Sequence, residues 1–471
     1  MLHHRENDLL RLGNIPMNDL NRRGFIRTGG LAALGALASR LESVAPAADS
    51  AGKPAGGAAA DWVKSLSDPF RERLLQGGTG GDFPERVKAC AAPLRDKPAF
   101  DPEEVARHAA TVRLPAGARF EHPMLERVVR VGLAHIDLTF QRDHPKYGIG
   151  KYAWAKCDGF PPVIIATVDA LTLWGNFRRA EQLMTYWLNC FIFRDGSIIF
   201  QGPALSEYGQ LLTTLRQLVE RSGSRVWFNA HRQTIRSIVN YLEAQMLASG
   251  RVELLKGMPE DDTRQDVATY FHNNAWLVRG FRDWAALDPE GAGIRTAQHA
   301  DELRAKLLEA INDRWPRDPD DWWLPPTVET TLPNSGEIRR PEGFVTENRI
   351  GKYTNYRYWL ELLSSGVLPA DLSARIIRAR LVSGGQFLGM TRLGKTQLDD
   401  WPLYNWLDGL WQNRRFDDFR LSLWGHIYYH QAEDHLTAYE VVHMPPGRQS
   451  TPYCLPCQLV AVRAAAKLAL A

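Results

Sequence analysis

The chain has 471 residues, 44% of them hydrophobic, and a formal net charge of +3. That length and apolar content suffice for a large buried core. A charge so small, with Lys and Arg scattered rather than gathered into a stripe, excludes the electrostatic footprint of a nucleic-acid binder, and five cysteines are too few for a disulfide scaffold.

In chain order, NRRGFIRTGG (Asn21 to Gly30) sets paired arginines before the short apolar run Leu31 to Ala38, and Ala45-Pro46-Ala47 follows with the small residues of a cleavage site. The pattern resembles a twin-arginine signal. Its apolar run falls far short of the roughly 20 residues that span a bilayer, and no later segment is long and apolar enough to cross one. The expectation is a signal over residues 1–48, a partnership with the twin-arginine export machinery, and a periplasmic or secreted product without a membrane span. Residues 49–118 begin rich in Ala, Gly and Ser and then turn polar, with FPERVKACAAPL and DPEEVARHAATVRL as helix candidates. They read as a linker and a short N-terminal arm.

From His122 onward the apolar period is helical almost throughout, and strand signals are nearly absent. Helices are expected over 122–142, 161–174, 177–192, 208–221, 225–249, 269–287, 294–315, 355–365, 370–384, 402–413, 415–430 and 457–470. The links after the second, fourth, sixth, eighth and tenth helices are short. Those after the first, third, fifth, seventh, ninth and eleventh are long. Short links join antiparallel neighbours, so with helices alternating up and down every long link emerges at the same end. Twelve helices in six hairpins, closed into a ring, make an all-α (α/α)6 barrel over residues 119–471. An open superhelix would want a recurring unit of fixed period, and none is found. Loop tips on a rigid scaffold carry function, which makes the long-loop face the expected site.

Those loops are rich in carboxylates and aromatics: DHPKYGIGKYAWAKCDGF, FRDGSIIFQGPALSEYG, GFVTENRIGKYTNYRYW, LGKTQLDDWPLYNW and AEDHLTAYEVVHMPPGRQSTPY. Trp, Tyr and His rings stack on the apolar faces of sugars, while Asp, Asn, Arg and Glu bind hydroxyls. An oligosaccharide or polysaccharide substrate follows. Breaking a glycosidic bond with inversion needs an acid on the leaving oxygen and a carboxylate base across the ring, about 6.5–9.5 Å away. Glu260, Asp261 and Asp262 follow the fifth helix and Glu440 follows the eleventh, half a barrel apart.

The hairpin order, the loop after the fifth helix and the segment TAYEVVHMPPGRQSTPYCLPCQLVAVRAAAKLA resemble the six-hairpin glycosidases, with the glucoamylase-like family 15 enzymes the nearest comparison. The resemblance covers about residues 120–471. It implies a general acid in the loop after the fifth helix and a base shortly before the twelfth. Here these are Asp262, then Glu260, then Asp261 for the acid, and Glu440 for the base. The local sequence GMPEDDTRQD departs from the usual context of that family's acid. The leading expectation is an exported, anomer-inverting glycoside hydrolase without metal or organic cofactor. No HExxH, P-loop or GxSxG motif points to another chemistry.

Other candidates carry two readings each. Asp158 and Glu207 bind hydroxyls or cap helices. His272, Asn273, Asn274 and Trp276 line an inner wall or are buried polar groups satisfied by neighbouring helices. Trp154, Trp322, Trp323, Trp359 and Trp401 are stacking platforms if exposed and core if not; Tyr356 joins the binding candidates, and Asp399-Asp400 bind or cap. Arg279 and Glu347 are candidates for a charged sugar. Cys454 and Cys457, in CLPC, are an inert pair or a local disulfide, with redox or metal chemistry as the alternative. Two rival functions use the same barrel. One is a lyase or epimerase of uronic acid polymers built on Tyr270, His272, Asn274 and Arg279, and the other is a non-catalytic glycan-binding protein.

Overall fold

The structure, a computed structural model, describes residues 66, 94–200, 204–261, 266–315, 322–382, 384–387, 389–443, 448–449 and 453–470. The signal segment 1–48 and Asp262 lie outside the described residues. A helix of the N-terminal arm, α1 (Pro102–Thr111), precedes twelve helices of the barrel: α2 (Pro123–Thr139), α3 (Pro161–Leu173), α4 (Phe177–Phe191), α5 (Leu205–Ser222), α6 (Arg225–Met246), α7 (Phe271–Leu287), α8 (Ala292–Arg314), α9 (Arg349–Tyr353 continued through Thr354–Tyr358 and Trp359–Ser364), α10 (Ala370–Val382), α11 (Leu403–Gln412), α12 (Phe416–Gly425 continued through His426–His430) and α13 (Leu455–Ala469). Each overlaps a segment expected from the sequence, although α9 begins at Arg349, inside what reads as the long link before the expected helix at 355–365.

Local chemistry sets the helix ends. Proline opens α1, α2 and α3, where its missing N–H costs nothing and its fixed φ suits the first turn. The Asp101 carboxylate caps α1, and His122 Nδ1 accepts the Met124 N–H at 3.0 Å to cap α2. Gly223, at φ 68°, ends α5 in the left-handed region and turns the chain into α6 within a short link.

The helices sort into two layers by their burial. In α3 every residue from Pro161 to Thr172 is buried, as expected for a helix with protein on all sides. In α6 only a stripe is buried (Phe228, Ile235, Ile238, Val239, Leu242 and Met246), which is the pattern of an outer helix. The inner helices α3, α5, α7, α9, α11 and α13 each pack on the next, and α13 packs back on α3. The ring is closed. At the seam the Trp174 indole donates to the Val462 carbonyl at 2.9 Å and Arg463 Nε meets Asp169 at 2.6 Å. This is the (α/α)6 architecture, and among the described residues no helix is long and apolar enough to cross a membrane.

Each long link runs from an outer helix into the N-terminus of an inner one, so the N-terminal ends of the inner helices converge on the rim. One element there departs from the sequence reading. Strands β1 (Thr331–Leu332) and β2 (Gly336–Glu337) form a small ribbon. Strands β3 (Gln386–Phe387), β4 (Met390–Leu393), β5 (Gln397–Asp399), β6 (Val441–His443) and β7 (Arg448–Gln449) form an antiparallel sheet in that order. Strands of two to four residues are too short to display alternation, which is why the sequence hid them. The sheet has a positional consequence: Asp399 pairs with Val441, which brings the link after α10 against the link that carries Glu440.

Candidate active site

Glu440 sits one residue before β6 and is half-buried. Its backbone is fixed from below. His430, fully buried at the end of α12, hydrogen-bonds the Tyr439 carbonyl through Nε2, and its Nδ1 lies 3.4 Å from Asp400, whose carboxylate also accepts from His426 Nδ1 at 2.8 Å. Burial depresses the His430 pKa, with Asp400 opposing the shift. His426–His430 is a π-helical turn, a distortion that often marks functional positions.

The Glu440 carboxylate is met by Tyr152 from the first long loop. Burial, and then the charge and hydrogen bond of Glu440, hold the Tyr152 phenol far above its ordinary pKa, so the O–H stays protonated and donates to the carboxylate. Tyr147 and Tyr356 also lie within the electrostatic reach of Glu440. Tyr356 hydrogen-bonds Asp399, the acid brought alongside by the sheet.

In the loop after α6, buried Glu260 forms an ion pair with Arg357, whose Nε also holds Glu361 at 2.8 Å. Burial alone would weaken the Arg357 charge; the two carboxylates outweigh it and hold the guanidinium ionised. Its face lies 3.7 Å from the centroid of Trp401. Trp401 stacks toward Phe160 at 6.1 Å, Phe160 meets Tyr147 edge-on at 5.4 Å, and Tyr147 meets Tyr152 at 4.6 Å. An aromatic wall thus runs unbroken from the partner of Glu260 to the partner of Glu440. Burial and then Asp399 hold the Tyr356 phenol well above its ordinary pKa, with Glu440 adding to the shift and Arg357 opposing it.

The remaining candidates divide. Asp261 is fully engaged by Arg349 at 2.6 Å and the Tyr358 hydroxyl at 2.9 Å. Asp158 accepts from both Lys146 at 2.8 Å and His144 Nε2 at 2.9 Å. Glu207 is buried and accepts the Ala204 N–H at 3.0 Å, the capping alternative stated for it. Trp154 is 55% exposed with Lys156 over its ring, while Trp323 and Trp359 are core and Trp322 packs on Phe344. Trp276 is buried on α7.

For Asn273, Asn274, Arg279 and His272 the structure shows partners within the protein. Both asparagines take the second of their two readings, that of buried polar groups with neighbouring partners. Asn274 spends its amide on the Leu255 backbone and the Tyr270 carbonyl, and Asn273 on Ser206 N and the Met258 carbonyl, because buried loop backbone must find partners. Arg279 pairs with Asp283 at 2.9 Å and reaches the Ser365 carbonyl beside a short link, at the far end of the barrel from the long loops. His272 is buried and stacked flat on Tyr358, ring centroids 4.5 Å apart, and burial keeps it neutral. Of the set Tyr270, His272, Asn274 and Arg279, the first three therefore touch one another while Arg279 stands apart. The pair Cys454 and Cys457 is buried, and its free thiols hydrogen-bond each other. Among the described residues no cluster of His, Cys, Asp and Glu is arranged to hold a metal.

What the sequence missed was Arg357, Tyr152 and the supporting His430. Arg357 lies in NYRYW, where a single cation among aromatics carries no sequence signal of its burial.

No protein-family model matches the chain, and no curated protein matches it. Among solved structures it is similar to a wild-type glycosidase at 12% identity and TM-score 0.51, covering 78% of this chain and 99% of that one. It is similar also to a variant glycosidase in complex with glucose, at 13% identity and TM-score 0.50 over the same shares. At such identity the likeness is one of fold.

Proposed function

We propose that the protein is a glycoside hydrolase acting with inversion, with Glu440 as general base and the loop after α6 as source of the general acid. What supports this reading is the run of ring contacts that links Arg357, the partner of Glu260, through Trp401, Phe160 and Tyr147 to Tyr152, the partner of Glu440, from sequence positions 180 residues apart (440 − 260). Aromatic faces for sugar stacking and opposed carboxylates are what hydrolysis of a glycosidic bond requires. The named glycosidases of like fold, one holding glucose, agree with a saccharide substrate.

In this reading Glu440, oriented by the Tyr152 hydroxyl and by the His430 bond to its neighbour's carbonyl, takes a proton from a water. That water attacks the anomeric carbon from the face opposite the leaving group. The acid gives its proton to the glycosidic oxygen as the bond breaks, so the product emerges with the opposite anomeric configuration. Glu260 is already in an ion pair with Arg357, which suits it to holding the wall and a sugar hydroxyl, and Asp261 is engaged twice over. Asp262 is the acid by this elimination, with Glu260 next. Trp401, Tyr356 and the exposed Trp154 supply stacking and hydroxyl contacts. The resemblance carried by its sequence makes the glucoamylase-like family the functional analogy, and the twin-arginine-like segment supports a periplasmic or secreted product.

The test is an oligosaccharide panel assayed with the wild type, Glu440→Gln and Asp262→Asn. Removing the base should cut kcat by a thousandfold or more with the circular dichroism spectrum unchanged, and proton NMR of wild-type turnover should show the inverted anomer first. Full activity in Glu440→Gln would remove the base assignment. An unsaturated product absorbing in the ultraviolet would move the reading to a lyase.

A further inference from the structure

The N-terminal arm ahead of α1 packs against the link that carries Glu440. Residues 94–100 lie in no helix or strand, yet both ends of the segment are fixed. Leu94, without exposed surface, forms a parallel bridge with Ala432, and its carbonyl accepts the Glu433 N–H at 3.0 Å. At the other end Phe100 lies edge-on to His135 and Tyr453, with ring centroids 5.2 and 5.4 Å away. Between them the hydrogen bonds close a loop from arm to link and back. The Ala99 N–H donates to Thr437 Oγ1 at 3.3 Å, the Thr437 hydroxyl meets His435 Nδ1 at 2.8 Å, and His435 Nε2 donates to the Asp96 carbonyl at 2.6 Å. A carbonyl only accepts, which puts the imidazole proton on Nε2 and leaves Nδ1 to accept from the threonine. The Lys97 carbonyl takes the Tyr439 hydroxyl.

The barrel grips the same link. Gln458 of α13 accepts the Ala438 N–H at 2.7 Å and donates to the Leu436 carbonyl at 2.9 Å, and His430 donates to the Tyr439 carbonyl. Leu436 has φ 57°, a left-handed backbone that side chains avoid and that persists only where the surroundings enforce it. Tyr439 is where the two grips meet. Its carbonyl goes to His430, its backbone bridges Tyr453, and its hydroxyl goes to the arm. The next residue is Glu440.

We propose that residues 94–100 are a clamp that belongs to the active site, with Tyr439 as a positioning residue whose bond to the Lys97 carbonyl fixes where Glu440 leaves the link. Ordering an irregular segment costs chain entropy, and closing the ring does not call for it, since α13 already packs on α3. What the segment orders is the link. A general base displaced by a fraction of its reach loses much of its effect, so a clamp one residue away from it bears directly on turnover. The positioning role rests on the reading of Glu440 as the base; the grip of the arm on the link does not.

The experiment is hydrogen–deuterium exchange of the full chain, read on peptides, together with kcat and KM on maltotriose and then on the rest of the oligosaccharide panel. The variants are Tyr439→Phe, Thr437→Val and, as control, Tyr208→Phe, which removes a buried hydroxyl that accepts the Ile198 N–H instead. Tyr439→Phe should speed exchange over 94–100 and 431–443 by about tenfold or more, with α3 and α5 unchanged. Its kcat should fall by about tenfold to a hundredfold while KM stays within about twofold. Thr437→Val should speed exchange over the same two segments and carries the test where Tyr439→Phe does not fold, and Tyr208→Phe should leave both segments at the wild-type rate. Wild-type exchange in the folded arm or link variant, or equal loosening in the control, overturns the clamp. Faster exchange with an unchanged kcat overturns the positioning role. A wild type that cleaves no saccharide removes the positioning role together with the base, and exchange alone then decides the clamp.

Discussion

His135 shows how this fold uses a titratable side chain as core. It lies on α2 with no exposed surface, edge-on to Phe100 and Tyr453 at 5.2 Å each, and neither ring nitrogen has a partner. Burial, aided by the nearby His435, pulls its pKa down to about 3. Below the ordinary value of 6.5 the unfolded chain takes up a proton that the native chain refuses. The unfolded state then binds more protons, and stability falls as pH falls from 6.5 toward 3. By pH 5 this one group costs about 2 kcal/mol. Replacing it with leucine, of similar volume, should leave stability at pH 7.5 within about 1 kcal/mol. The same change should remove about 1.2 kcal/mol from the stability lost between pH 6 and 5. Urea unfolding at both ends of that range reads the difference, and an unchanged slope would mean that the ring is protonated inside the core.

At the scale of elements, the inner helices are pressed together where two glycines meet. A Cβ on Gly209 of α5 would lie 2.0 Å from the Trp276 carbonyl oxygen, and one on Gly280 of α7 would lie 2.7 Å from the Gly209 Cα. These obstacles are backbone, so they cannot rotate away. Gly209→Ala should destabilise by about 3 kcal/mol or more. Gly223→Ala, at φ 68° with open space around the site, should cost only about 1–2 kcal/mol. Urea midpoints that reversed this order would show that α5 and α7 are further apart. The twelve helices were readable because buried and half-buried helices leave a 3.6-residue signature over ten residues or more, and the alternation of short and long links gave the face. The rim sheet was not readable, because MTRL and VVH carry too few positions to show a period. The site divides along the same line. Glu440 stood out by its place in a long loop and by the family resemblance, whereas Arg357 did not stand out and the two readings of Asn274 could not be separated, because which polar side chains are spent on backbone depends on contacts far apart in sequence.

For the whole molecule the distinction that matters is between a closed ring and an open stack of hairpins, since the proposed cleft between the loops after α6 and α12 requires closure. In an open stack each unit touches only its neighbours, so removing the last one peels it away and leaves the others folded. In a ring, α13 supports two sides at once. It packs on α2, α3, α11 and α12, takes the Trp174 indole at Val462, and neutralises buried Asp169 through Arg463. Arg119, ahead of α2, donates its backbone N–H to Ala469 at 2.9 Å, which ties the entry of the barrel to its exit. A chain stopped after Tyr453 would expose the faces of α3 and α11 together and leave the Asp169 carboxylate without its cation in an apolar surround, a cost of several kcal/mol before any lost packing is counted. The truncated protein should show no cooperative thermal transition by circular dichroism and should bind a dye for exposed apolar surface. A transition of about eleven-twelfths the wild-type amplitude, as peeling one helix from an open stack of twelve would give, would mean that the helices do not close on themselves and that Glu440 and the acids after α6 do not share a cleft.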